Sequence, residues 1–284
     1  MILEKALESY KLNMEQQEKS PRTVSGYMQD LSFFRKWLEE EWNGPVYLED
    51  IEFKDVDKFV RYLKEERDYK PASRKRMSVA LKMFFKYAWK KKLCAEDIAS
   101  QIEGVKCIPN ERDYLTEEEA LAFIKEIGHP LVEIFTTTLF YTGMRISEAL
   151  SLTLDDVDIN GGWIHVREGK GRKSRKIPIC KKLEIKLTDY MEWRVHSNKF
   201  FATEKTGGLS AGRVQAIIRE TRIRLGCKKQ VTAHMFRHSF ASQLVKNDVN
   251  IVSLSKLLGH SNLKTTSIYT HVSKEQLVDA INML

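Results

Sequence analysis

The stretch LLGHSNLKTTSIYTHV, residues 257–272, surrounds one tyrosine with polar and ionisable side chains. His260 lies nine residues before Tyr269, and His271 lies two residues after it. A phenol has an ordinary pKa of about 10, so it becomes a nucleophile at neutral pH only when a base removes its proton. Tyr269 is therefore either a packed aromatic residue or a nucleophile that the histidines assist.

Three further stretches contain residues that could take part in the same chemistry. TGMRISEAL contains Arg145, GKGRKSRKIPI contains Lys170, and HMFRHSFASQL contains His234 and Arg237. Each residue also has a structural interpretation when it is taken alone. Arg145 could form a helical ion pair with Glu148, three residues on, and Lys170 could be a solvated charge at the tip of a hairpin.

A metal site is the alternative that His234 and His238 raise, because two histidines four residues apart can share one face of a helix. Met235, however, stands where a zinc protease has its catalytic glutamate, and no third ligand has an obvious place. Three aspartates precede a predicted sheet, where turn and strand-edge positions are expected: Asp155, Asp156 and Asp158. We therefore expect no metal and no cofactor.

The composition is that of a globular protein, with 42% hydrophobic and 30% charged residues in a chain of 284. No apolar run approaches the roughly 20 residues that a membrane helix needs. The first 20 residues are amphipathic and acidic, unlike a secretory signal. The cysteines are isolated from one another and indicate free thiols in a reducing cytoplasm: Cys94, Cys107, Cys180 and Cys227.

The positive charge is concentrated in three stretches of a chain whose net charge is +8. Residues 69–95 contain nine Lys or Arg and no acid, and residues 167–182 contain eight against one Glu. Residues 205–246 contain nine against Glu220 alone. One such stretch could be a solvated face, but three together predict a nucleic-acid partner whose binding weakens with salt.

The pattern of apolar residues predicts a mainly α, α+β protein with two domains. Residues 1–103 have helical periodicity, including a helix that begins with Ser20 as N-cap and Pro21 at its first position. After a break near residues 104–114, Thr116 and Glu119 form a capping box. Apolar and polar residues then alternate over residues 155–180, which predicts a small antiparallel sheet with a hairpin at 169–173. The stretch KFFATE, residues 199–204, is expected to add a further short strand.

Taken in order, these motifs resemble those of the tyrosine recombinase (phage integrase) family, from Thr142 to Val272. TGMRISE is similar to the family's T-G-x-R-[IV]-[SG]-E box, and HMFRHSFA to its H-x-[LF]-R-H-[AST]-[FC]-A motif. Lys170 lies in the basic hairpin, His260 closes LLGH, and Tyr269 follows at the family's nine-residue separation. The first half, with TVSGYMQDLSFFRKWL, resembles the family's core-binding domain, and the compact build is most like the Xer-type recombinases.

The resemblance implies a catalytic set and a role for each member. Arg145 and Arg237 would hold the oxygens of a DNA phosphate, and Tyr269 would attack it to give a 3′-phosphotyrosine. His234 would assist as a base and His260 would act in the same shell. Lys170 would protonate the leaving 5′ oxygen, with Lys173 as a rival, whereas His238 and His271 are expected to support or pack.

The same resemblance implies domains at 1–106 (helical, SAM-like, DNA-binding) and 107–284 (catalytic), and a tetramer acting on two duplex DNA sites in the cytoplasm. The short C-terminal helix would close its own domain or dock onto a neighbouring protomer. Basic residues are the candidates for DNA contact: Arg74, Lys75, Arg76, Lys82, Lys86, Arg172, Lys173 and Arg213.

Several functions fit this set of motifs. The first is a recombinase that resolves chromosome or plasmid dimers, with or without an activating protein partner. The alternatives are an integrase or excisionase of a mobile element, a DNA-relaxing enzyme of the topoisomerase IB kind, and a non-catalytic DNA-binding protein on the same scaffold. The complete set of six residues disfavours the last, because only chemistry requires all of them.

Overall fold

The computed structural model describes residues 1–106, 113–167, 174–259 and residue 266. The chain divides into two compact units, Met1–Asn110 and Glu111–Leu284. The predicted domain boundary, between residues 106 and 107, falls at the edge of the segment 107–112, which lies outside the described residues. The exact boundary therefore stays a prediction.

The described part of the first unit is helical. Four α-helices are joined by short connections and two 3₁₀ turns, Leu48–Asp50 and Ile98–Gln101. The α-helices are α1 (Leu3–Gln16), α2 (Pro21–Trp42), α3 (Phe53–Glu65) and α4 (Pro71–Lys90).

The start of α2 and the buried faces of α2 and α4 agree with the patterns in the sequence. The Ser20 hydroxyl accepts a hydrogen bond from the Thr23 amide at 3.1 Å, and Pro21 occupies the first helical position, where no amide donor is needed. The apolar positions of both helices lie in one core: Leu31, Phe34, Leu38, Leu81, Phe84, Phe85 and Ala88. Burial of these stripes leaves the basic side chains of α4 on its outer face.

The second unit combines helices with a small sheet, and α5 begins with the predicted capping box between Thr116 and Glu119. Its strands are β1 (Val157–Asp158), β2 (Trp163–Val166) and β3 (Arg175–Pro178). Its described helices are α5 (Glu117–Lys125), α6 (Pro130–Thr142), α7 (Ile146–Ser151), α8 (Lys181–Trp193), α9 (Ala211–Arg224), α10 (Ala233–Lys246) and α11 (Ile251–Leu258).

The strands form one antiparallel sheet in the order β1-β2-β3, as the alternating pattern predicts. Ile164 pairs with Ile177, and both side chains are buried in the core of this unit. Asp156 and Asp158 have the turn and edge positions expected of them: Asp156 accepts from the Thr153 amide, and Asp158 from the Gly161 amide. The predicted hairpin tip, 169–173, lies outside the described residues.

The strand predicted at KFFATE is wrong. Lys199 forms only an isolated bridge with Thr153, and the buried rings of Phe200 and Phe201 pack in the core. Scattered partners take the place of a paired strand. The Phe200 amide donates to the Leu152 carbonyl at 2.8 Å, while the Tyr190 hydroxyl donates to the Phe200 carbonyl at 2.7 Å and accepts from the Ala202 amide at 3.1 Å. Alternation of apolar residues could not reveal this, because a buried irregular segment needs the same side chains.

The described residues contain no helix that is both long and apolar enough to cross a membrane. Three of the cysteines, Cys94, Cys180 and Cys227, are free thiols. Their separation agrees with the isolated spacing of the cysteines in the sequence.

Candidate active site

Arg145 lies between two helices, at a turn that the TGMR sequence builds. Thr142 ends α6, Gly143 has a left-handed backbone with φ of 62°, and Met144 is fully buried. Arg145 is the N-cap of α7. Its backbone amide donates to Glu148 Oε2 at 2.8 Å and its Nη1 to Glu148 Oε1 at 2.7 Å. The helical ion pair considered from the sequence is therefore present, and the Arg145 side chain is still 28% exposed.

Gly143 permits a close approach as well as the turn. A Cβ atom at this position would meet Phe240 Cε1 at 2.8 Å and Leu258 Cδ2 at 3.0 Å. Only glycine combines this backbone angle with this proximity. The turn that presents Arg145 is thereby packed against α10 and against the end of α11.

Arg237 connects the same turn to α11 from inside the protein. Only 2% of its surface is exposed. Its Nη1 donates to the Gly143 carbonyl at 2.5 Å, and its Nη2 donates to the Leu258 carbonyl at 2.7 Å. The guanidinium thus fastens the turn before Arg145 to the last residue of α11, two residues before His260.

His234 lies in the first turn of α10, which Thr232 caps by accepting from the Met235 amide at 3.3 Å. The His234 side chain is exposed, whereas His238 is buried. Residues three apart lie on the same side of a helix, so His234 and Arg237 share one side of α10. The described residues include no group of three or more potential metal ligands around these histidines.

Arg175 is a member of the site that the sequence did not single out. Its Nη2 donates to Glu148 Oε2 at 2.7 Å and its Nη1 to Oε1 at 3.2 Å, while Nε donates to the Leu257 carbonyl at 2.8 Å. The side chain is only 8% exposed. In the sequence it is one of eight basic residues between 167 and 182, and nothing in the spacing distinguishes it from its neighbours.

Glu148 accepts hydrogen bonds from both arginines and stays ionised. Burial by itself would raise the pKa of this carboxyl. The hydrogen bonds from the Arg175 side chain and the Arg145 amide, with the charge of Arg175, outweigh burial and lower the pKa of Glu148 to about 2. One ionised carboxylate therefore orients two arginines at all physiological pH values.

The described residues thus bring together three arginines, of which Arg145 and Arg237 were expected. Arg145 and Arg175 share Glu148, and Arg175 and Arg237 hold adjacent carbonyls at the end of α11. The remaining predicted residues lie outside the described residues: Lys170, Arg172, Lys173, His260, Tyr269 and His271.

The outer face of α4 carries the DNA-contact candidates of the first unit. Lys75, Arg76 and Lys86 are exposed there, and Arg74 and Lys82 are partly exposed. Two apolar side chains, Val79 (40% exposed) and Met83 (45% exposed), lie on the same helix.

Two contacts add to this picture of the candidate DNA surface. Arg76 is held by the buried carboxylate of Asp30, with Nη2 and Oδ1 2.6 Å apart. In the second unit, Arg213 is exposed in the first turn of α9.

Two family models match the chain. The model of the phage integrase family matches residues 113–276, and the model of the phage integrase N-terminal SAM-like domain matches residues 7–92. Tyrosine recombinase XerA of Thermococcus kodakarensis is 30% identical over 95% of this chain and 92% of its own length. Tyrosine recombinase XerC of Halalkalibacterium halodurans is also 30% identical, over 94% of this chain and 92% of its own length.

Solved structures with 18–24% identity share the fold. The Tn1549 transposon integrase in complex with transposon right end DNA superposes with a TM-score of 0.81 (18% identity, 100% of this chain, 99% of that one). A lambda integrase dimer bound to a COC′ core site gives a TM-score of 0.79, with 20% identity over 93% of this chain and 97% of that one. XerH bound to a palindromic difH substrate gives a TM-score of 0.72, with 24% identity over 92% of this chain and 79% of that one.

The chain belongs to the phage integrase family. It is a site-specific DNA recombinase of the tyrosine class and of the Xer type.

Proposed function

We propose that this enzyme cuts and rejoins double-stranded DNA at two copies of one site, through a 3′-phosphotyrosine at Tyr269, and that it resolves chromosome or plasmid dimers. The observation that carries the proposal is the cluster of Arg145, Arg175 and Arg237 around one turn and one helix end. A guanidinium suits a phosphate because its planar donors match the phosphate oxygens, and Arg175 holds this turn and helix end through Glu148 and the Leu257 carbonyl.

Arg145 and Arg237 are proposed to stabilise the charge that develops on the non-bridging oxygens in the transition state. Arginine is always charged and its donors are fixed in a plane, so little reorganisation is needed when the reaction occurs. Arg145 is the more accessible of the two, because 28% of its side chain is exposed. This pair performs the charge neutralisation that Mg²⁺ provides in many other phosphoryl transfers.

The proposed reaction conserves protons and bonds. The Tyr269 oxygen forms a bond to the scissile phosphorus while the bond from phosphorus to the 5′ oxygen breaks. His234 takes the phenolic proton, and Lys170 gives a proton to the departing 5′ oxygen, with Lys173 as its rival. His260 contacts the phosphate or orients its neighbours. A 5′ hydroxyl of another strand then reverses the steps, so the bond is rejoined without ATP.

DNA contact is proposed for the outer face of α4 and for Arg213, together with Arg172 and Lys173. The Lys and Arg side chains would bind the phosphate backbone, which fixes position but carries no sequence information. The apolar side chains Val79 and Met83 between them suit contact with base edges such as thymine methyl groups.

Assembly on DNA is proposed to require four protomers on two duplexes, because exchange needs two sites and two cuts in each. A lambda integrase of the same fold forms a dimer on a core site. Two such DNA-bound dimers would make the tetramer.

The test is cleavage of suicide DNA substrates that carry candidate sites, in which the cut fragment diffuses away and the covalent adduct accumulates. The wild-type enzyme is expected to become linked to the DNA 3′ end, with the adduct mapped to Tyr269. Tyr269→Phe is expected to bind the same DNA with unchanged affinity and to form no adduct, because a phenyl ring offers no nucleophile.

Two results would contradict this proposal. A covalent complex formed by Tyr269→Phe would exclude Tyr269 as the nucleophile. Relaxation of supercoiled DNA without any recombinant product would indicate a DNA-relaxing enzyme instead.

A further inference from the structure

Arg175 makes contacts with two segments that are far apart in sequence. Its Nη2 and Nη1 donate hydrogen bonds to the two oxygens of Glu148, at 2.7 and 3.2 Å, and its Nε donates to the Leu257 carbonyl at 2.8 Å. Residue 175 is separated from Glu148 by 27 positions and from Leu257 by 82. The side chain is thus a crossing point between β3, α7 and α11.

The backbone of α11 is shaped to admit this guanidinium. Gly259, the residue after the last turn of α11, has φ of 63°, and a Cβ there would lie 2.8 Å from Arg175 Nη1 and 3.0 Å from its Cζ. The end of a helix leaves carbonyl groups without helical donors. Arg175 supplies a donor to the Leu257 carbonyl, and Arg237 supplies one to the Leu258 carbonyl at 2.7 Å.

Glu148 passes this constraint on to Arg145. It accepts from Arg145 Nη1 at 2.7 Å and from the Arg145 amide at 2.8 Å, and the same two oxygens also accept from Arg175. A carboxylate whose two oxygens each accept from both arginines has little freedom to rotate. Any change in Arg175 therefore alters where Glu148, and with it the Arg145 guanidinium, comes to rest.

We propose that Arg175 is a positioning residue for strand cleavage: it sets the distance between the two phosphate-binding arginines, Arg145 and Arg237. Arg175 acts on Arg145 through Glu148. It acts on Arg237 through the end of α11, where Arg175 and Arg237 donate to adjacent carbonyls. Arg175 itself does not touch the phosphate. The inference rests on the proposed function, since it assigns Arg145 and Arg237 to the charged oxygens of the scissile phosphate.

The experiment compares three DNA substrates with the full-length enzyme. The first is the ordinary phosphodiester. The second is a methylphosphonate, in which a methyl group replaces one charged oxygen, so less negative charge needs an arginine. The third is a 5′-bridging phosphorothiolate, whose thiolate leaves without a proton. The variant is Arg175→Lys, because lysine keeps the charge but cannot bind Glu148 and Leu257 with one planar group.

For Arg175→Lys we expect DNA affinity to stay unchanged and the rate of adduct formation on the phosphodiester to fall about 10- to 100-fold, because a misplacement of up to about 1 Å causes losses of this size. On the methylphosphonate the variant is expected to approach the wild-type rate. On the phosphorothiolate the defect is expected to persist, because the variant affects the positions of the phosphate-binding arginines and not the protonation of the leaving group.

Arg194→Lys is the matched control. Arg194 also fastens a backbone carbonyl in the second unit, donating from Nε to the Phe200 oxygen at 3.0 Å. Its replacement removes a structural arginine at the loop after α8, so any loss of activity should be equal on all three substrates.

Two outcomes would overturn the proposal. Rescue by the phosphorothiolate and not by the methylphosphonate would assign Arg175 to the proton donor. An equal loss on all three substrates, for Arg175→Lys and for a second variant Arg175→Gln, would assign it to folding alone. The wild-type adduct is measured in parallel, so its absence would count against the proposed function and not against Arg175.

Discussion

Glu148 shows how one side chain can serve both stability and function. It is 11% exposed, yet it is ionised, because Arg175 and Arg145 donate four hydrogen bonds to it. A buried charge of this kind is costly without partners and acceptable with them. The sequence suggested only half of the arrangement, the i,i+3 pair with Arg145, since the second partner comes from a strand 27 residues away.

The lowered pKa of Glu148 predicts a specific loss of stability in acid. In the unfolded chain this carboxyl titrates near 4.5, and in the folded protein at about 2. Its contribution is therefore complete above pH 4.5 and disappears as the pH falls to about 2. After allowance for solvent screening, it is on the order of 2 kcal/mol.

Urea unfolding between pH 2 and pH 7 measures this contribution. Glu148→Gln is expected to be less stable than the wild type at pH 7, with the difference shrinking below pH 4.5. Glu184→Gln, at a surface pair with Lys181 on α8, is the control and should show no such convergence. A constant difference between Glu148→Gln and the wild type at every pH would contradict the assignment.

At the scale of elements, helix ends do much of the positioning. The turn between α6 and α7 presents Arg145, the first turn of α10 presents His234, and the end of α11 lies two residues before His260. Each helix end leaves backbone groups without helical partners. Thr232 caps α10 itself, whereas Arg175 and Arg237 donate to carbonyls at the end of α11, and Arg237 joins that end to the turn before Arg145.

Gly143→Ala is expected to break the turn between α6 and α7. Alanine would have to adopt φ of 62°, and its Cβ would press on Phe240 and Leu258. The combined cost is at least about 2 kcal/mol. Gly212→Ala, at a helical glycine of α9 with open space around it, is the control and should be neutral or slightly stabilising. Equal unfolding midpoints for the two variants would refute this account.

The outer face of α4 makes a separate prediction for DNA affinity. Lys86→Ala is expected to weaken binding to any duplex and to reduce the slope of log affinity against log salt by about one. Titrations at several salt concentrations measure both. Lys11→Ala, at an exposed lysine of α1 paired with Glu15, should leave the slope unchanged. Reduced affinity with an unchanged slope would mean that Lys86 does not contact a phosphate.

At the scale of the whole molecule, charge and assembly belong together. The net charge of +8 is concentrated in three stretches that fall in both units of the chain. DNA can neutralise this charge and bring protomers close to one another, which the free protomers would resist by repulsion.

Residues 273–284 are expected either to close their own domain or to dock onto a neighbouring protomer, because so short an amphipathic segment is stable only when it is packed. If the segment docks onto a neighbour, deleting it leaves binding to one site intact and abolishes the complex of four protomers with two duplexes. Sedimentation of protein with two-site DNA measures the assembly. A tetramer of undiminished stability in the truncated protein would mean that the segment closes its own domain.

The sequence by itself determined the family, the helical first half, the sheet and the order of the catalytic motifs. These follow from local periodicity, from caps such as Ser20 and Thr116, and from motifs whose residues are neighbours along the chain.

Only the tertiary structure decided the rest. It replaced the strand expected at KFFATE with a segment bonded by Tyr190, and it singled out Arg175 from eight basic residues of one stretch. The physical reason is the same in both cases. Hydrogen-bond partners for a buried polar group are chosen by proximity in space, and the partners of Arg175 lie 27 and 82 residues away, beyond the reach of any local pattern.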